Sequence, residues 1–138
     1  MSIAKSKNNK RIKVWTNGCF DILHIGHVKM LEYAKSIGDE LVVGLDTDDK
    51  VRRTKGETRP VNTLGDRMEM ISSIKYVDKV TSFDTQEELS EKIRLENPDF
   101  IVVGSDYRNK KVVGSEHCRE VRFYERHGDF STSRILGE

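Results

Sequence analysis

The sequence predicts an α/β fold, a three-layer sandwich built on a five-stranded parallel sheet, and three observations carry that expectation. Glu40 to Asp46 and Phe100 to Gly104 are near-continuous apolar runs of strand length, the pattern of strands covered on both faces. Other segments space their apolar residues three and four apart, as in Val28, Leu31, Ala34 and Ile37, which is the stripe of a helix lying on a sheet. The two patterns take turns along the chain, and alternation of that kind favours parallel strands joined by right-handed crossovers.

In chain order, Met1 to Lys10 is polar and lysine-rich and reads as a flexible tail (residues 1–10) ahead of a single domain over residues 11–138. A first strand is predicted from about Ile12 to Thr16 and a first helix from near Gly26 to Gly38, the glycine standing just past the helix end. The second strand is Glu40 to Asp46. Thr47 to Val61 holds Asp48, Asp49, Lys50, Arg52, Arg53, Lys55, Glu57 and Arg59 before Pro60, and reads as a solvated loop or a mobile flap carrying cations to a ligand. Thr63 caps the next helix, with Leu64, Met68, Ile71 and Ile74 on one face. A third strand follows over Lys79 to Phe83. Thr85 with Glu88 makes a capping box for a helix that must end before Pro98. After the strand Phe100 to Gly104 come a short helix or turn at Gly114 to Arg119, a fifth strand at Val121 to Tyr124, and a last helix capped by Ser131.

Composition narrows the function classes. The 138 residues suffice for one domain with a real core. The formal net charge is +1, from 24 basic and 23 acidic residues, which argues against bulk nucleic-acid or membrane-surface binding. No apolar run reaches membrane-spanning length and no secretory segment opens the chain. The two cysteines, Cys19 and Cys118, form no disulfide framework, so a reducing cytoplasm is expected.

Ligands of parallel sheets bind beyond the carboxyl ends of the strands. Four segments fall there: Thr16 to His27, Asp46 to Arg59, Gly104 to Tyr107 and Gly128 to Ser133. The first reads strand, tight turn, helix, with His24 and His27 on either side of Gly26 at the helix mouth. Helix N-termini present free N–H donors and a partial positive charge, so anions settle there. Neither a dinucleotide G-x-G-x-x-G nor a Walker loop is present. Three readings stay open for the pair: a phosphate site, a zinc site with Cys19, His24 and His27 as ligands, or ordinary surface and capping residues. The phosphate reading uses every feature of the stretch.

Residues 14 to 27, with this H-x-G-H pattern, resemble the nucleotidylyltransferase superfamily, whose sheet is Rossmann-like. Lys55 to Asn62, Arg67, Gly104 to Tyr107 and Gly128 to Ser133 extend the likeness to the adenylyltransferases of heptose 1-phosphate. Glycerol-3-phosphate cytidylyltransferases are similar through the first motif and the terminal Ser/Thr turn. The chain departs from the heptose pattern in standing without a kinase domain, in reading Ser131-Thr132-Ser133 for Ser-Thr-Thr, and in stopping soon after.

The resemblance implies that a sugar 1-phosphate attacks the α-phosphate of a nucleoside triphosphate and expels pyrophosphate. The nucleophile is already an anion, so the protein must mainly align the groups and stabilise charge. On this reading His24, His27 and Lys55 are catalytic, and Mg²⁺ accompanies the triphosphate. Asn17, Gly18, Cys19, Phe20, Gly26, Gly104, Asp106, Ser131 and Thr132 bind the nucleotide, though Asp106 can equally just end a strand. Asp21, Arg59 and Arg67 bind the acceptor, the two arginines at one rim. Lys50, by contrast, is expected to be mere solvated charge. The partners are ATP, or else CTP, with a sugar or polyol phosphate, and a homodimer is allowed for. A cytidylyltransferase acting on glycerol 3-phosphate and a non-catalytic nucleotide sensor are the alternatives.

Overall fold

A computed structural model describes residues 11–125, so the predicted tail and the Gly128 to Ser133 segment, with Ser131 and Thr132, lie outside the described residues. The elements run β1 (Lys13–Gly18), α1 (Ile25–Ser36), β2 (Glu40–Asp46), α2 (Asp48–Lys55), α3 (Leu64–Ser72), β3 (Lys79–Phe83), α4 (Gln86–Glu96), β4 (Phe100–Gly104) and β5 (Glu120–Tyr124). The five strands form one sheet in the order β3-β2-β1-β4-β5, every pair parallel.

Alternation along the strands builds two cores. Val14, Leu41, Val43, Leu45, Phe100 and Val102 point to one face, where Leu31 and Ala34 of α1 and Ile71 of α3 meet them. Trp15, Val42 and Ile101 point to the other, covered by Leu89 and Ile93 of α4 and by Val112 and Val113. That is the three-layer sandwich the apolar pattern predicts. Trp15 is fully buried, and Gly44 makes room for it: a Cβ there would stand 2.6 Å from the indole Cζ2.

Threonines open three of the helices. Thr47, Thr63 and Thr85 each accept from the backbone N–H three residues on, at Lys50, Asp66 and Glu88 (3.0–3.3 Å). The box at α4 is offset by one residue, since Glu88 accepts from Asp84 N rather than Thr85 N. Asn97 takes the left-handed conformation that ends α4, directly before Pro98.

One expectation needs correction. Asp48 to Lys55 is a helix, not a loop. Its acids occupy the first turn and three of its four bases the last, which suits the helix dipole. Gly38 stands just past the end of α1, as its place in the sequence predicts. Space is what requires it, as a Cβ would stand 2.6 Å from Val14 Cγ2.

One feature of the sheet creates the site. The β1–β2 ladder runs six pairs, from Lys13↔Glu40 to Gly18↔Leu45, while β1 and β4 pair only at Val14↔Phe100 and Trp15↔Ile101. Beyond that point Thr16 spans the gap with its hydroxyl, which donates to Val102 O at 2.8 Å. The strands part there because the chain order reverses between β1 and β4, the place where ligands of such sheets bind.

Candidate active site

A cleft of about 420 Å³ opens at that parting, within the range of about 300–1,000 Å³ usual for ligand pockets. Its floor is Thr16, Asn17, Gly18 and Cys19 from the end of β1, with Val103 and Gly104 from β4. Lys50, Thr54 and Lys55 of α2 form one wall, with Asp46; Tyr107, Lys111, Val112 and Val113 form another; Phe83, Gln86 and Leu89 close the end. Three lysines and one carboxylate therefore face a cavity whose other surfaces are largely uncharged, a distribution that favours an anion.

The mouth of α1 stands beside this floor. Met30 of α1 lines the cleft, and His27 lies on the same helix face one turn nearer the N-terminus. His24 is the N-cap, accepting from Gly26 N at its Nδ1 (3.1 Å), and His27 Nδ1 accepts in turn from His24 N (3.2 Å). The rings stack with centroids 3.8 Å apart, and Phe20 meets His27 edge-on at 5.1 Å. Phe20 itself is buried and holds a left-handed backbone (φ 51°), a conformation that costs a non-glycine residue on the order of 1 kcal/mol and collects at functional turns. Capping and phosphate binding are thus compatible readings of the pair. Each cap consumes an Nδ1 lone pair, so the neutral ring carries its proton on Nε2 and is a donor there.

Asp21, Arg59 and Arg67 are buried, and none of them lines the cleft. Asp21 is 1% exposed and accepts from Arg59 Nε (2.9 Å), Val61 N (2.8 Å) and Asn62 N (2.9 Å). Burial alone would raise its pKa, but the two amide donors and the guanidinium outweigh it and hold the carboxyl below its ordinary range. Arg59 is 3% exposed and Arg67 fully buried. Expected to bind the acceptor, the three are buried instead, and the bonds of Asp21 to Arg59, Val61 and Asn62 fasten the Gly56 to Asn62 connection to the β1–α1 turn.

Of the remaining expected residues, Asn17, Gly18, Cys19, Lys55 and Gly104 line the cleft, and Gly26 serves the α1 cap. Asp106 is exposed on a 3-10 turn and lies outside the cleft lining. Burial raises the Cys19 thiol pKa, against the lowering pull of Arg67. Lys50, expected to be solvated, instead lines the cleft, with its ammonium 3.4 Å from Asp46 and 5.6 Å over the Phe83 ring. Lys111 is a further cleft residue that sequence reasoning missed, and Asp46, at the edge of a predicted ligand-side segment, is given no role by the sequence. The available signal for Lys50 was the Thr47 cap, which fixes the helical phase of the residues after it.

Among the described residues no three His, Cys, Asp or Glu side chains gather to hold a metal. The donor set in the cleft, Asp46 beside Lys50, fits Mg²⁺ only as a companion of triphosphate, held mainly by phosphate oxygens and water. No described helix is long and apolar enough to cross a membrane.

A family model described as cytidylyltransferase-like matches residues 15–135. The chain is 48% identical over 125 residues to the bifunctional protein HldE of Campylobacter fetus subsp. fetus, covering 91% of this chain and 27% of that protein. The HldE protein of Helicobacter hepaticus is 49% identical over 125 residues, with 89% and 25% covered. The chain thus spans about a quarter of the length of these curated relatives. The crystal structure of the lipopolysaccharide core biosynthesis protein from Thermoplasma volcanium superposes with a TM-score of 0.71 at 28% identity, over 86% of this chain and 99% of that one.

Proposed function

This chain belongs to the cytidylyltransferase-like family, and on that premise we propose that it transfers a nucleoside monophosphate from a nucleoside triphosphate to a sugar phosphate, releasing pyrophosphate. The observation that carries this reading is the cleft at the parting of β1 and β4, lined by Lys50, Lys55 and Lys111 beside a helix mouth capped by two histidines. The acceptor phosphate is itself the nucleophile, so the site needs no strong base. Its work is to align two anions and to answer the charge that gathers on a five-coordinate phosphorus. In this reading the α1 mouth, with the Nε2 donors of His24 and His27, takes the reacting phosphate, and Lys50 and Lys55 take the leaving phosphates. Mg²⁺ arriving with the triphosphate offsets part of the remaining charge.

The finer assignment is ATP as donor and heptose 1-phosphate as acceptor, in the cytoplasm. It is supported by the Lys55 to Asn62 run with Arg67, and by the identity to the HldE proteins. Pyrophosphate release with each substrate pair tests it. ATP with a sugar 1-phosphate is expected to exceed CTP with glycerol 3-phosphate in kcat/KM by about tenfold or more, roughly 1.4 kcal/mol of transition-state binding. A win for CTP would keep the chemistry and change the subfamily. No release with any pair would leave a nucleotide sensor.

The lysines supply a second test. Lys55→Ala and Lys50→Ala are each expected to raise the triphosphate KM by on the order of tenfold, since each removes a cation from the cleft. Arg94→Ala, on the exposed side of α4 where Arg94 pairs with Glu91, should be nearly silent. If Lys50→Ala and Arg94→Ala behave alike, Lys50 serves no bound anion.

A further inference from the structure

We propose that Arg67 is a positioning residue, whose buried guanidinium sets the separation between the β1–α1 turn and the lysines of α2. The inference rests on the nucleotidyl-transfer reading of the cleft and adds how two of its walls are held in place. Nη1 donates to Cys19 O (3.0 Å) and Asp46 O (2.8 Å), Nε to Asn62 O (3.0 Å), and Nη2 to Asp48 Oδ1 (2.6 Å). These four acceptors belong to four segments: the β1–α1 turn, the end of β2, the connection before α3, and the first turn of α2. A planar guanidinium fixes the directions of its donors, so it joins all four at set angles. An ammonium has one nitrogen and cannot span them.

What makes the joint matter is the weak footing of α2. The helix has eight residues and buries only Val51, so apolar packing anchors it at one point. Its other ties run from Thr47 to Asp84 and Phe83 O, from Lys50 to Asp46 (3.4 Å), and from Arg53 to Asp84, and the Arg53 link is exposed and worth little. The Arg67–Asp48 pair is different, with the arginine side chain fully buried and the aspartate 33% exposed. It fastens the start of the helix to Cys19 and Asp46, both on the cleft surface. Lys50 and Lys55 ride on that helix. Loosening the joint lets α2 shift against the α1 mouth, and small misplacements of groups that must act together are costly.

Titration calorimetry with Mg·ATP and Mg·CTP, alongside thermal melting, tests the inference. Arg67→Lys keeps the charge and loses the joint, but a buried change can unfold the protein. Asp48→Ala removes the acceptor at the α2 end from its partly exposed side, and thermal melting reports what that costs the fold, the variant remaining folded at the temperature of the titration. It is expected to weaken triphosphate binding by about tenfold. In a Lys55→Ala background the same substitution should cost about threefold or less, because a cation it positions is gone. Equal losses in the two backgrounds, or no loss in either, would overturn the positioning role and leave the functional reading standing. A wild-type protein that binds neither triphosphate would overturn both.

Discussion

His27→Ala is expected to lower kcat by about 10²–10³-fold while the protein stays folded. Its ring is held on three sides: stacked on His24, edge-on to Phe20, and bonded at Nδ1 to the His24 amide. A donor fixed in that way costs no reorganisation when charge develops on a phosphate beside it, which is where such donors contribute most. The cap supplies an internal control. Removing the Nδ1 acceptor costs on the order of 1 kcal/mol of stability, far too little to unfold the domain and unrelated to a thousandfold loss of turnover. His24→Ala should act similarly on kcat, with a cap loss of about 0.5–2 kcal/mol. Pyrophosphate release and thermal melting on the same samples separate the two effects. A folded His27→Ala variant with normal turnover would reduce the pair to caps.

Asp21→Ala is expected to destabilise the protein by about 3–5 kcal/mol, because it strands the Arg59 guanidinium and two backbone amides in the interior. In a domain of this size that corresponds to a fall in Tm on the order of 10–20 °C. The loss also depends on pH. The folded carboxyl titrates below its unfolded value of about 3.9, so its contribution is fully present above that pH and is lost as pH falls through the folded pKa. The wild type and the variant should therefore converge in urea stability as the solution is taken from pH 6 toward pH 2. A constant gap across that range would mean that the buried pair is not what the substitution removes.

β2 and β4 are legible to the residue because each is an apolar run of strand length, and a buried strand has few alternatives. Thr63 and Thr85 are legible for a similar reason, since a cap's chemistry is local. α2 is harder to see: Val51 is its one buried residue, so there is no apolar stripe, and its evidence lies in the placement of charge. Asp21, Arg59 and Arg67 show the limit of a linear reading. Charged residues default to the surface, and only the folded chain brings Asp21 to Arg59, 38 positions away. The histidine pair was legible as a helix mouth. That one nitrogen of each ring would serve as a cap became visible only in the geometry.

Trp15 gives the molecule an optical reporter of its own. It is the sole tryptophan in the chain, it is sealed from water, and its indole N–H donates to the Asn17 side chain at 2.8 Å, a residue of the cleft floor. Emission from such an indole is blue-shifted and free of interference from a second fluorophore of its kind. A phosphate or sugar that draws on Asn17 disturbs the bond the excited state senses, so occupancy of the cleft can be followed by intrinsic fluorescence without a label.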